Sequence, residues 1–263
     1  MHRLERLFKE KKEGILNIYF TAGYPHLEDT AHIITGLSNA GVDLVEIGIP
    51  YSDPLADGPT IQYSSERALA NGMTLDLLFR QVHEARSKTD IPFILMGYFN
   101  PVLQYGEDRF FQACVDAGVD GLIIPDMPLH EYEEVYRDKL AGYGLTISFL
   151  ITPQTPEERV RKIDALSNGF IYMVSSSSIT GAKTEIRENQ LTYFQRIQAM
   201  GLMHPCLIGF GISNHETFTT ACDYAAGAIV GSAFIKFLGQ ETGGDLNHRI
   251  GQFVHQLKNP VSV

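Results

Sequence analysis

The segment Leu44-Val-Glu-Ile-Gly-Ile-Pro-Tyr-Ser-Asp-Pro-Leu-Ala-Asp-Gly-Pro59 opens as an apolar, β-branched run and ends in residues that favour a loop. In a strand, Leu44, Glu46 and Gly48 share one face, while Val45, Ile47 and Ile49 share the other. The aliphatic face suits packing against helices, so Glu46 should point inward. A carboxylate there is costly unless it is paired, protonated or used. Desolvation would raise its affinity for a proton, toward general acid/base work near neutral pH. A buried Glu satisfied by a neighbouring Lys, Tyr or backbone N–H is the competing structural account. Asp53 and Asp57 follow in a stretch that, by composition alone, also describes a tight surface turn. An inward Glu followed by an Asp-bearing loop is more informative than either feature alone.

Three later segments suggest anion binding. Thr180-Gly-Ala182, Gly209-Phe-Gly211 and Gly231-Ser232 each follow an apolar run, and Gly231-Ser-Ala-Phe-Ile235 reads as the start of a short helix. Backbone N–H groups at such places cradle phosphates. Each glycine alone could be only a turn, but three together point to a phosphorylated substrate. The zinc motif H-E-x-x-H, the nucleotide loop G-x-x-x-x-G-K-[ST] and the nucleophile elbow G-x-S-x-G are all missing. Gly209-Phe-Gly211 lacks the third glycine of a dinucleotide fingerprint, and the nine histidines show no ligand spacing. Lys183 lies in a loop beyond Gly181, a poor place for a Schiff-base lysine.

The elements that must position these residues recur along the chain. Candidate strands are Ile15–Thr21, Val42–Ile49, Phe93–Tyr98, Val119–Pro125, Leu145–Ile151, Phe170–Ser175, Leu207–Phe210 and Ala228–Val230. Helical periodicity marks Leu27–Asn39, Leu75–Ser87, Asp108–Ala117, Glu131–Ala141, Pro156–Leu166, Gln190–Met200, Asn214–Ala225 and Leu246–Leu257. The repeat of about thirty residues is one βα unit. Eight such units within 263 residues, with no linker or shift in composition, predict an α/β fold. The expected form is a (β/α)8 TIM barrel, a single domain over 1–263 with a short N-terminal helix. Chemistry then belongs at the C-terminal ends of the strands. Ala40-Gly-Val-Asp43 and Ala117-Gly-Val-Asp120 echo one another where a helix gives way to a strand, and Ala226-Gly-Ala228 reads as a third such helix stop.

The formal net charge of −10 argues against nucleic acid and anionic membranes as partners. Three cysteines without C-x-x-C spacing suit a reducing cytoplasm rather than a disulfide or zinc scaffold. The charged, amphipathic stretch Met1–Glu10 lacks the apolar core of a signal peptide. No apolar run approaches the roughly 18 residues of a membrane span.

With Val45–Pro59 in view, the sequence resembles the α subunit of tryptophan synthase. The resemblance extends through Tyr19-Phe-Thr-Ala-Gly23, Tyr98-Phe-Asn-Pro101, Pro125-Asp-Met-Pro128, Ile179-Thr-Gly181, Gly209-Phe-Gly211 and Gly231-Ser232, in the family's order. It implies retro-aldol cleavage of indole-3-glycerol phosphate to indole and glyceraldehyde 3-phosphate, without a metal or cofactor. Glu46 would serve the protons at indole C3 and the hydroxyl, and Asp57 would accept the indole N–H. Gly181, Phe210, Gly211, Gly231 and Ser232 match the phosphate pocket. Tyr19, Met96, Tyr98 and Tyr172 match the indole slot, and Thr180 the closing loop. Asp53, Pro54, Asn100 and Pro128 match the interface with a β subunit, which carries pyridoxal phosphate in an α2β2 complex and consumes the indole.

Two departures from the family stand out: Tyr19 where Phe is frequent, and Ser176 and Ser178 where Arg and Gly are common. Alternatives are another sugar-phosphate barrel enzyme, or an inactive barrel that only activates a β subunit. Neither accounts for Glu46 and Asp57 together. The chain contains no tryptophan, so a cell short of that residue could still make it.

Overall fold

The computed structural model describes residues 1–175, 188–209, 211–240 and 244–260. Among these residues nine parallel strands are present: β1 (Ile15–Thr21), β2 (Leu44–Gly48), β3 (Phe93–Met96), β4 (Gly121–Ile123), β5 (Thr146–Ile147), β6 (Phe149–Ile151), β7 (Ile171–Val174), β8 (Cys206–Gly209) and β9 (Gly227–Val230). They run in the order β5-β4-β3-β2-β1-β9-β8-β7-β6. The two edge strands are halves of one extended segment, which closes the sheet. Ser148 breaks that segment: its N–H donates to Leu122 O at 3.0 Å on one side, and its Oγ accepts from Phe170 N at 3.0 Å on the other. The expected strand Leu145–Ile151 is therefore one stave in two pieces, and the architecture is an eight-staved (β/α)8 barrel in a single domain.

Helices follow the staves. The first are α1 (Arg3–Glu10), α2 (Thr30–Asn39), α3 (Pro59–Ala70) and α4 (Leu75–Arg86). Next come α5 (Phe99–Tyr105), α6 (Glu107–Ala117), α7 (Leu129–Glu131) and α8 (Arg137–Tyr143), with a π-helical turn, Tyr132–Tyr136, between the last two. The rest are α9 (Glu157–Leu166), α10 (Glu188–Ala199), α11 (His215–Tyr224), α12 (Ser232–Leu238) and α13 (Leu246–Lys258). Side-chain caps fix several starts: Thr74 accepts from Leu77 N, Asn214 from Thr217 N and Asp245 from His248 N.

Two helices have no counterpart among the periodic segments of the sequence. The buried stripe of α3 is Ile61, Ser64, Ser65 and Ala68; its spacing is helical, but two serines hide the apolar signal. Helix α5 is short and carries Pro101 in its first turn, where proline is tolerated.

The repeated Ala-Gly-Val-Asp has a shared physical job. Gly41 and Gly118 take φ of 80° and 78° after α2 and α6, the left-handed turn that frees the chain to enter the next strand. The following aspartates then hold a neighbouring strand: Asp43 accepts from Leu16 N at 2.9 Å and Asp120 from Phe93 N at 2.8 Å. The expected third copy is corrected by the structure. Helix α11 ends at Tyr224 and Gly227 already lies in β9, where a Cβ would fall 2.0 Å from Ile15 O. Close strand approach, not a helix stop, demands that glycine.

The register sets the barrel interior. Tyr19 lies level with Glu46, and Glu46 with Ile94; Asn17 lies one layer lower, between Leu44 and Ile229. Among the described residues, no helix is long and apolar enough to cross a membrane.

Candidate active site

Glu46 sits in the middle of β2 and is fully buried. Asn17, on the inward face of β1, donates from Nδ2 to Glu46 Oε1 at 2.5 Å. Glu46 Oε2 and Asn17 Oδ1 have no hydrogen-bond partner among the described residues. Burial pushes the Glu46 carboxyl up to about 8, although the Asn17 bond works in the opposite direction. The inward orientation read from strand alternation holds; among the described residues the partner of Glu46 is the Asn17 amide rather than a lysine, tyrosine or backbone N–H.

Asp57 lies beyond β2 in the loop that leads into α3. The loop is built by backbone bonds from Asp57 N to Pro54 O at 3.0 Å and from Leu55 N to Asp53 O at 2.8 Å. Gln62 of α3 clamps it from behind, donating to Asp57 O at 2.9 Å. Tyr98 completes the frame: its hydroxyl accepts from Ala56 N at 2.9 Å and donates to Asp57 Oδ2 at 3.1 Å. Partial burial raises the Asp57 carboxyl to about 6, against the pull of the Tyr98 hydrogen bond.

Tyr19 and Tyr172 are buried on β1 and β7, and burial raises both phenols. The charges of both carboxylates add to that rise, and the register sets Tyr19 level with Glu46. Small residues admit the rings: a Cβ on Gly48 would lie 2.2 Å from the Tyr19 hydroxyl, and one on Gly209 2.3 Å from that of Tyr172. Met96 ends β3 level with Gly48. On the far side of Tyr19, a Cβ on Gly231 would stand 3.5 Å from the ring. Gly231 caps α12 and Ser232 opens it, so the unpaired N–H groups of a helix's first turn border the aromatic slot. Gly211, just after β8, has φ of 84° and is exposed. Phe210, Thr180, Gly181, Ser176, Ser178 and Lys183 lie outside the described residues.

The proposed partner-facing residues are joined by a surface path. Asp53 is exposed and accepts from Ser52 Oγ at 2.7 Å. Asn100, also exposed, donates to the Tyr51 hydroxyl at 3.4 Å, and the Tyr51 ring packs 5.1 Å from Tyr98. Phe99 N donates to Asp126 Oδ1 at 2.9 Å, bringing in the loop that carries exposed Pro128. Leu55, 83% exposed, stands beside Pro54 at one end of this path.

Sequence reasoning passed over Asn17, Tyr51 and Gln62. Asn17 carried a signal: it shares the inward face of β1 with Tyr19, so a polar side chain had to be inside the barrel. Chemically, the site offers one carboxyl that holds its proton at neutral pH and one that releases it, flanked by flat aromatic walls. An arrangement that separates two like groups in this way can pair an acid with a base.

Comparison with known proteins gives a consistent answer. The family model for the tryptophan synthase alpha chain matches residues 5–259. The tryptophan synthase alpha chain of Flavobacterium johnsoniae is 54% identical over 96% of this chain and 99% of its own. That of Christiangramia forsetii is 52% identical over 98% and 99%. Among solved structures, the tryptophan synthase subunit alpha of Legionella pneumophila superposes with a TM-score of 0.87 at 33% identity, covering 98% of this chain and 97% of that one. The A-subunit from Pyrococcus furiosus gives 0.85 at 34%, covering 94% and 98%. With a family model spanning nearly all of the sequence and close relatives matched end to end, this chain belongs to the tryptophan synthase alpha chain family.

Proposed function

We propose that this chain cleaves indole-3-glycerol phosphate by a retro-aldol reaction, with Glu46 as the general acid/base at carbon and oxygen and Asp57 as the base at the indole nitrogen. The observation that carries this reading is the pair of carboxyls raised to about 8 and about 6 around one aromatic slot. At neutral pH, Glu46 delivers its proton to indole C3 while ionised Asp57 takes the N–H proton. The Glu46 carboxylate next removes the proton of the side-chain hydroxyl, and the bond from C3 to that carbon breaks. The electron pair flows back through the ring, and Asp57 returns its proton to nitrogen. Indole and the aldehyde depart, and both carboxyls are restored to their starting states.

Tyr19, Met96, Tyr98 and Tyr172 line the slot for the indole ring, and loop closure is assigned to Thr180 on the family resemblance alone. The phosphate is received by backbone N–H groups at Gly211, Gly231 and Ser232, together with Gly181 and Phe210. This answers the apparent conflict of an acidic chain with an anionic ligand, because local N–H dipoles rather than net charge do the binding.

Residues 1–263 act as one barrel domain in the cytoplasm. Asp53, Pro54, Asn100 and Pro128 face a β subunit in an α2β2 complex, and exposed Leu55 supplies apolar surface beside them. That partner carries the pyridoxal phosphate; this chain works without a cofactor. Direct passage of indole to the partner prevents loss of an apolar product. Burying the Asp57 loop at the interface orders the base, so the partner raises the cleavage rate.

The test is to incubate the protein with indole-3-glycerol phosphate, with and without a β subunit, and follow indole. Because the chain has no tryptophan, indole fluorescence reports substrate and product with no tryptophan background from this chain. Indole formation, faster with the partner, is expected; none under either condition would overturn the reading.

A further inference from the structure

The lower layer of the barrel contains a polar group that packing alone does not call for. Asn17 is fully buried in the middle of β1, level with Leu44 and Ile229, where an aliphatic side chain would fill the space without any polar cost. Among the described residues its amide makes a single bond: Nδ2 donates to Glu46 Oε1 at 2.5 Å. Its Oδ1 and the second Glu46 oxygen are left without partners among the described residues. Burying such groups is unfavourable, so the arrangement is not explained by stability.

From this geometry we infer that Asn17 is a positioning residue. Its amide holds Glu46 Oε1 from below and thereby makes Oε2 the oxygen that exchanges protons with the substrate. The inference rests on the proposed role of Glu46. Asn17 lies one layer beneath Glu46, so the carboxyl itself separates the amide from a ligand entering at the C-terminal ends of the strands. With Oε1 occupied as an acceptor, the acid proton resides on Oε2, directed away from Asn17. After transfer, the same amide N–H stabilises the carboxylate that must collect the hydroxyl proton.

Among the described residues, the titratable groups that couple to Glu46 are the phenols of Tyr19 on β1 and Tyr172 on β7, with Asp57 on the loop beyond, and none of these is a cation. Desolvation alone pushes the carboxyl upward, and the Asn17 bond is what opposes it. Without that bond Glu46 would be a weaker acid with a freely rotating carboxyl.

The experiment compares wild type with Asn17→Leu, which keeps the γ-branched shape at a larger volume and has no donor. Two readouts are taken: the pH profile of indole formation, and infrared titration of the Glu46 carboxyl, assigned by its loss in Glu46→Gln. In Asn17→Leu the alkaline limb and the carboxyl titration should both move to higher pH, while the acid limb stays in place. At neutral pH kcat should fall about tenfold, as expected for loss of a hydrogen bond to a charged group, with KM within about twofold of wild type. Should the leucine variant not fold, Asn17→Val carries the same expectation with a shorter side chain. A folded variant whose alkaline limb and carboxyl titration both match wild type would overturn the inference. If wild type forms no indole, the proposed reaction fails, yet the infrared titration still decides whether Asn17 controls Glu46.

Discussion

The two ends of the barrel treat buried carboxylates in opposite ways. At the N-terminal end, Asp120 is only 2% exposed and is surrounded by donors: Arg86 Nη2 at 3.0 Å, Arg3 Nη1 at 3.1 Å and Phe93 N at 2.8 Å. Asp164, also buried, accepts from the backbone N–H groups of Met203 and His204 at 2.8 and 2.9 Å. Toward the C-terminal end, Glu46 is as deeply buried but has one amide donor and an orphaned oxygen. Burial alone therefore does not distinguish a structural acid from a reactive one; the supply of donors does. The lower carboxylates tie α1 and the strand entries together, whereas the upper one is left in a state that only proton exchange makes useful.

The largest effect should come from removing the proton of Glu46. Glu46→Gln keeps shape and volume, so substrate binding should survive while turnover falls by roughly a thousandfold or more, measured as indole release. The same substitution tests the cost of burial. The folded-state value, raised from 4.5 to about 8, makes ionisation of Glu46 destabilising. Wild type should therefore lose stability as pH rises from the unfolded value toward 8 and then level off. The Gln variant should escape that loss, an advantage on the order of 4 kcal/mol at most by urea denaturation at pH 9 relative to pH 5. Near-normal turnover in Glu46→Gln would erase the contrast between the two ends.

At the opposite end, Asp120→Ala should show the reverse signature. It strands the largely buried Arg86 guanidinium without its carboxylate and removes the acceptor of Phe93 N. A loss of about 3 kcal/mol or more in unfolding free energy is expected, with kcat of the folded fraction within about twofold of wild type. A large drop in kcat with stability intact would mean that the lower network reaches the chemistry.

Within the upper end, Glu46 and Asp57 differ again, one fixed in a strand and the other carried by a loop. Turnover needs Glu46 protonated and Asp57 ionised. As pH falls through about 6, Asp57 gains a proton and activity is lost; as pH rises through about 8, Glu46 loses its proton and activity is lost again. The profile of kcat/KM should be a bell between those limbs. Asp57→Asn should lower kcat by about a hundredfold and abolish the acid limb. An acid limb that persists in that variant would belong to a different group.

Much of this contrast was legible in the sequence. The eight staves, the inward face of β2 and the loop bearing Asp57 follow from strand alternation and turn chemistry, because those signals are local. What escaped was non-local or disguised. Helix α3 hid because Ser64 and Ser65 occupy buried positions that usually reveal a helix through apolar residues. The break at Ser148 depends on bonds to Leu122 and Phe170, far apart in the chain. Asn17 reads as an ordinary strand polar residue until the register of β1 against β2 sets it beneath Glu46. The clamping role of Asp43 and Asp120 likewise appears only when the adjacent strands are in place, although their shared motif was visible.

The smallest expected effect isolates how the loop carboxylate is tuned. Tyr98 both receives Ala56 N and donates to Asp57 Oδ2, so Tyr98→Phe removes a hydrogen bond to the charged form while keeping the aromatic wall. Losing a donor to a carboxylate raises its proton affinity, and the acid limb should move to higher pH. Because Asp57 is only partly buried, solvent compensates for some of the lost bond, and the change should be modest: about fivefold in kcat/KM at pH 6. Near pH 8 Asp57 is ionised in either protein, so the two profiles should converge there and share an alkaline limb set by Glu46. A uniform loss across the whole pH range would instead assign Tyr98 to packing the indole ring. Convergence would show that each carboxyl is tuned by its own neighbour, the strand-borne one by Asn17 on the adjoining strand and the loop-borne one by Tyr98, whose hydroxyl also receives the loop backbone.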